Sequence, residues 1–297
     1  MKKNSRKRRK KSGSFTRLHL LSLLVILAFG ISFAFFLYSH REQPEPPVER
    51  TGPSVSGDIK KIDPPPRARE DAPRRFMALV IDDIGYDMTA VDTLLALNIP
   101  ITFSVLPHCP YSAVSARRAH EAGHEVILHL PMEPLGYPDA DPGEGALLVG
   151  MTRREILKTV ESNLRSVPYI SGVNNHMGSR FMEHEDKLIA IFSELKKRRL
   201  FFLDSLTSPT TKGRSAANTV AIDYITRDIF LDNSRNREDT FKALLKLLDM
   251  DNHWTTLVVI GHPYPSTLEA LERALPYFAE SDIETVPLSH IINRCMP

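Results

Sequence analysis

From residue 76 onward, short apolar runs alternate with segments whose apolar residues recur at helical spacing. Residues 77–82 form the first run. Ala78, Leu79, Val80 and Ile81 leave it no polar face, as in a strand buried on both sides. The pattern then predicts a helix over 89–97, a strand over 101–106 and a helix over 112–122 that Gly123 ends. A strand over 125–130 leads into a Pro- and Gly-rich loop, 131–150, long enough to be functional. Thr152 and Glu155 open the helix over 152–167 with capping-box spacing. Further strands are expected over 170–174, 200–203, 220–223, 256–260 and 283–286. Helices are expected over 185–198, 212–218, 236–248 and 266–278. Seven to eight strand–helix units predict an α/β fold, a distorted or incomplete parallel (β/α) barrel. No glycine-rich nucleotide loop follows any strand, which disfavours a doubly wound nucleotide fold.

The chain before residue 76 follows other rules. Residues 1–17 carry nine basic side chains and no acid. Residues 18–38 are almost wholly apolar, and about 20 such residues span a bilayer core. A cleaved signal peptide would have a shorter apolar region ending in a small-x-small site, and none follows Phe35-Phe36-Leu37. The expected arrangement is a basic cytoplasmic tail (1–17), one uncleaved membrane anchor (18–38), a Pro-rich linker (39–75) and a folded domain (76–297). That topology puts the protein in the inner membrane, with the domain on the extracytoplasmic, periplasmic side.

Charge then bears on partners. The chain has 38 basic and 36 acidic residues; with the nine of the tail set aside, 29 face 36, a net of −7. A mildly acidic domain has no footprint for nucleic acid, and the basic tail fits topology and anionic lipid better. The two cysteines, Cys109 and Cys295, do not by their spacing demand a disulfide.

Polar residues collect at the carboxyl ends of the expected strands, the active face of a parallel barrel. Asp82 and Asp83 end the first and His129 lies in the third. Asn174, Asn175 and His176 end the fourth, Asp204 and Ser205 the fifth, and His262 follows the run 256–260. One histidine after a strand is ordinarily a turn residue. Three histidines and three aspartates at one end of successive strands point to a site. His129, His176 and a carboxylate make an ordinary zinc ligand set with a position left open. His120, His124, His184 and His253 do not follow this rule.

The stretches Val80-Ile-Asp-Asp-Ile-Gly85 and Gly123-His-Glu-Val-Ile-Leu-His-Leu-Pro-Met-Glu133 resemble the divergent polysaccharide deacetylases, relatives of carbohydrate esterase family 4. Asn174-Asn-His-Met-Gly-Ser179, Phe202-Leu-Asp-Ser205, Arg227-Asp-Ile-Phe-Leu-Asp-Asn233 and Ile260-Gly-His-Pro263 support the resemblance, which covers essentially all of 75–292. It implies metal-dependent removal of N- or O-acetyl groups from a polysaccharide. Asp82 maps to the general base, Asp83 and His129 to metal ligands, and His262 to the general acid. The main family places a second metal histidine four residues after the first, where this chain has Glu133; the glutamate could coordinate zinc, but His176 on the next strand is the better placed nitrogen ligand. The main family's arginine-proline-tyrosine motif is replaced here, leaving the oxyanion donor open. Arg180 and Arg227 are candidates, Asp204 could orient a histidine or hold sugar hydroxyls, and Asn175 and Asp232 complete the candidate site residues. The expected cofactor is zinc or another divalent metal. The expected partners are an acetylated, peptidoglycan-like glycan and the membrane, with no nucleic acid. Two other readings compete: a glycan-binding or scaffold protein that kept the barrel without turnover, and a metal-free glycosidase using Asp83 with Glu133 or Asp204.

Overall fold

In the computed structural model, residues 74–250 and 254–295 are described. The basic tail, the 18–38 span and all but the last two residues of the linker lie outside the described residues. Among the described residues no helix is long and apolar enough to cross a membrane.

Nine strands and eight α-helices follow one another among the described residues. In chain order they are β1 (Arg75–Ile84), α1 (Met88–Ala96), β2 (Thr102–Val105), α2 (Ser112–Glu121), β3 (Glu125–Met132), α3 (Arg153–Ser166) and β4 (Ile170–Met177). Then come a 3-10 turn (Phe181–Glu183), α4 (Glu185–Lys197), β5 (Phe201–Asp204), α5 (Gly213–Val220), β6 (Tyr224–Thr226), β7 (Ile229–Phe230) and α6 (Arg237–Asp249). β8 (Thr256–Gly261), α7 (Pro265–Ala279), β9 (Ile283–Thr285) and α8 (Leu288–Cys295) complete the series.

Eight strands lie on one parallel path, β6-β5-β4-β3-β2-β1-β8-β7, and β9 pairs with the start of β1. The edge strands β6 and β7 are separated only by Arg227 and Asp228. The Arg227 N–H donates to the Asp204 carbonyl and the Asp228 N–H to the Val258 carbonyl. One chain segment therefore leaves the β5 edge and enters the β8 edge. This is the incomplete barrel the alternation predicts, distorted where those edges meet.

β1 is central because both its faces are covered. Met77, Leu79 and Ile81 join the larger apolar core, while Ala78 and Val80 join a second cluster with Ile127, Leu203, Val258, Ile260 and α8 residues Leu288, Ile291 and Ile292. Fully burying one such side chain contributes roughly 1.5–3 kcal/mol. The Thr152 capping box starts α3 as expected, with hydrogen bonds in both directions between Thr152 and Glu155.

Several boundaries differ from the sequence expectation. Of the expected strand over 220–223, Val220 is the last residue of α5, Ala221 caps it in a left-handed conformation (φ 54°), and β6 begins only at Tyr224. β4 runs three residues past the expected end, because β3 extends with it through the pair Met132–Met177. β7 and α8 were not expected. Cys109 is a free cysteine.

Candidate metal centre

The carboxyl end of β1 carries a bulge. Ile81 lies opposite Phe103 and Ile84 opposite Val105, so β1 takes three steps where β2 takes two. Asp83 absorbs the extra residue with φ 58°. In a regular strand Asp82 and Asp83 would point to opposite faces. The bulge re-aims them, and both carboxylates serve the same mouth. Gly85 follows with φ 137°, where a side chain would also press on Cys109 Cβ at 3.1 Å. Its carbonyl accepts the Tyr111 N–H at 2.9 Å, tying the β1 and β2 loops together.

The β3–β4 ladder supplies the histidines. Its register sets His129 opposite Asn174 and Pro131 opposite His176. Gly178 (φ 85°) lets β4 turn away there; a side chain would meet Met132 Cβ at 3.0 Å. His129 Nε2 and His176 Nδ1 are 3.0 Å apart, and they face Asp83 Oδ1 at 3.2 and 3.0 Å. Asp83 Oδ1 is buried and has no partner of hydrogen-bond geometry. Three donor atoms thus converge on one point with spacings close to a tetrahedral edge, about 3.3 Å for bonds of about 2.0–2.1 Å. Two nitrogens and a carboxylate oxygen fit a divalent transition metal. Burial pushes the Asp83 carboxyl up, but the two adjacent imidazoles more than reverse this and hold it well below the usual carboxylate range.

Two further groups face the same space. Asp82 is buried and accepts from Asn174 Nδ2 at 2.8 Å. His262 Nε2 lies 3.8 Å from Asp83 Oδ2, while its Nδ1 bonds Asp232 Oδ1 at 3.0 Å. Asp232 is fixed in turn: its Oδ2 accepts from the His262 N–H at 2.6 Å and from Thr267 Oγ1 at 2.8 Å. Burial pulls the His262 imidazole down, but the Asp232 hydrogen bond and the charges of Asp82, Asp232 and Asp83 outweigh it, so its pKa is raised. Arg227 donates from Nε to the Ser205 carbonyl at 3.0 Å and carries its guanidinium over Phe230. Burial lowers its pKa, and its charge acts on Asp204 and Asp82.

The other expected site residues support the frame. Glu133 accepts from Arg180 Nη1 at 2.9 Å and from the Val149 N–H, and it lies outside the group of metal donors. Asn175 accepts the Ser205 N–H and donates to Met177 O and Thr207 Oγ1. Asp204 corrects an expectation. It orients no histidine; it holds Tyr224 Oη at 2.6 Å, Thr211 Oγ1 and the Leu206 N–H. His129 is oriented by Asn174 and His262 by Asp232.

The mouth has an apolar rim that sequence reasoning missed. Of seven exposed large apolar side chains among the described residues, five (Tyr86, Tyr111, Leu135, Tyr137 and Leu206) lie on loops after the carboxyl ends of strands. All five therefore lie at the same end of the barrel as Asp83, His129 and His176. The available signal was tyrosine placed in loops immediately after strand ends.

The observations define a parallel, incomplete α/β barrel whose strand ends bring two histidines and an aspartate within metal-ligating distance of one another. The family model described as divergent polysaccharide deacetylase matches residues 79–292, and the chain belongs to that family. A curated relative, the uncharacterized protein YibQ of Escherichia coli K12, is 34% identical over 218 residues, covering 73% of this chain and 67% of that protein. An uncharacterized protein of Haemophilus influenzae is 27% identical over 215 residues, with coverage of 72% and 76%. The crystal structure of uncharacterized protein ATU2773 from Agrobacterium tumefaciens has a TM-score of 0.69 at 21% identity, over 76% of this chain and 92% of that one; it is similar in fold.

Proposed function

We propose that this protein is a membrane-anchored, metal-dependent hydrolase that removes acetyl groups from an envelope polysaccharide on the extracytoplasmic side. The observation that carries the reading is the convergence of Asp83, His129 and His176 beside Asp82 and an inward-facing His262. A divalent ion, zinc foremost, held by those three residues would supply Lewis acidity toward the acetyl carbonyl.

This chain's residues do the rest. Asp82 takes the proton of the attacking water. His262 donates a proton from Nε2 to the leaving nitrogen or oxygen as the acyl bond breaks, and the Asp232 hydrogen bond with the charges of Asp82, Asp232 and Asp83 shifts it toward the protonated form. Asp232 keeps Nδ1 occupied so that Nε2 faces the substrate. Arg227, beside Asp82, balances negative charge at the mouth. Tyr86, Tyr111 and Tyr137 offer flat apolar faces that suit pyranose rings. Family membership supports an acetylated glycan as substrate, and the apolar segment 18–38 supports anchoring. The test is acetate release from peptidoglycan and from chitooligosaccharides by the purified chain, before and after chelation and with metal restored. Activity lost on chelation and regained with zinc supports the reading; acetate release indifferent to metal overturns it.

A further inference from the structure

We infer that Asn174 is a positioning residue that clamps the base and a metal-facing histidine through one amide, an assignment that rests on the reading above. Asn174 is fully buried on β4, directly opposite His129 in the ladder. All four hydrogen-bonding capacities of its side chain are used. Oδ1 faces His129 Nδ1 at 2.9 Å and accepts from Ser104 Oγ at 2.7 Å. Nδ2 donates to Asp82 Oδ1 at 2.8 Å and to Ser205 Oγ at 3.3 Å.

The two ends of the amide are not interchangeable. Turned over, Asn174 would set its carbonyl oxygen against the Asp82 carboxylate with no proton between them. Asp82 therefore fixes which end of Asn174 faces His129. A carbonyl facing His129 Nδ1 requires the proton on that nitrogen, which leaves the Nε2 lone pair aimed at Asp83 Oδ1 and His176. One side chain thus decides both the donor atom that His129 offers a metal and the position of the base. Ser104 on β2 and Ser205 after β5 also hold it, so with Asp82 on β1 and His129 on β3 the clamp ties together five adjacent strands of the barrel, β1 to β5.

Two substitutions separate the two ends. Asn174→Asp keeps an acceptor for His129 but sets a second carboxylate against Asp82. Asn174→Leu removes both functions at similar volume. The expected results for Asn174→Asp are zinc affinity within about threefold of wild type and kcat at least tenfold lower with KM unchanged. For Asn174→Leu, zinc affinity falls about 10–100-fold, as on loss of an outer partner of a metal-bound histidine. Nitrogen-15 NMR of His129 should show the proton on Nδ1 in wild type, both with zinc and in the metal-free protein at a pH that keeps the ring neutral. Near-UV circular dichroism checks the fold. If Asn174→Asp does not fold, the zinc affinity of Asn174→Leu and the NMR decide. The inference is overturned by a His129 proton on Nε2 in wild type, or by wild-type zinc affinity in Asn174→Leu. If wild type releases no acetate, the proposed activity falls, while the zinc and NMR measurements still judge the clamp.

Discussion

Replacing His176 by alanine should weaken metal binding while replacing Glu133 by glutamine should not, and the structure gives the size of the difference. His176 Nδ1 is one of three atoms facing a common point, 3.0 Å from both its neighbours. Glu133 spends its carboxylate on Arg180 and the Val149 N–H. Loss of an outer partner already costs about 10–100-fold in affinity, so loss of a direct ligand should cost at least tenfold. Metal that binds the folded state stabilises it by RT ln(1 + [L]/Kd). With free zinc at about 100 times the wild-type Kd, wild type gains about 2.7 kcal/mol. A tenfold weaker site gains about 1.4 kcal/mol and a hundredfold weaker one about 0.4 kcal/mol by the same relation. The assay is denaturant unfolding with and without zinc, paired with competition against a chromophoric chelator. Glu133→Gln should keep the full wild-type gain. Wild-type zinc stabilisation in His176→Ala together with its loss in Glu133→Gln would refute the assignment and move the third ligand to position 133.

Three other outcomes follow from the geometry. Asp232→Asn removes the negative charge that helps raise the His262 pKa and leaves only a neutral acceptor for its Nδ1–H, so the alkaline limb of the pH–kcat/KM profile should move to lower pH; an unmoved limb separates His262 from the proton transfer. The linkage has the same sign: a pKa raised on folding contributes stability that is full below the unfolded value, about 6.5, and is lost as pH rises through the folded one. Tyr86→Ala should raise KM for a polymeric glycan while leaving kcat on a small acetyl ester unchanged, because the ring is 62% exposed at the rim. Thr152→Ala removes one arm of the α3 cap and should cost about 0.5–2 kcal/mol of unfolding free energy, with zinc affinity unaffected.

Much of this fold is legible because a strand buried on both faces leaves a continuous apolar run. The runs that contain Leu79 and Val259 mark β1 and β8 directly, and the Thr152–Glu155 spacing marks the start of α3. β6 was misplaced because Val220 and Ile222 look strand-like, while only the left-handed Ala221 shows that the chain is still turning out of a helix. β7 has two residues and no periodicity to read. In the site, the strand-end rule brings Asp82, Asp83, His129, His176 and His262 to one mouth. Their supporting partners were harder to see, because pairing depends on ladder register. Nothing in the spacing of Asn174 or Asp232 says which histidine each will hold. Asp204 shows the converse: a carboxylate at a strand end can serve Tyr224 and a loop instead of the chemistry.

The central claim is that a base beside a metal site hydrolyses an acetyl group. The most direct measurement is acetate release from an acetylated glycan by wild type and by Asp82→Asn at matched zinc content. Asp82 is not among the converging metal donors, and an amide at 82 still offers an oxygen to Asn174 Nδ2 while Ser104 and Ser205 hold Asn174 in place, so the variant should hold zinc and keep its fold. As general base, its loss should lower turnover by about 10²–10⁴-fold. Equal acetate release by the two proteins, or none from wild type while both bind the glycan equally, would contradict the account.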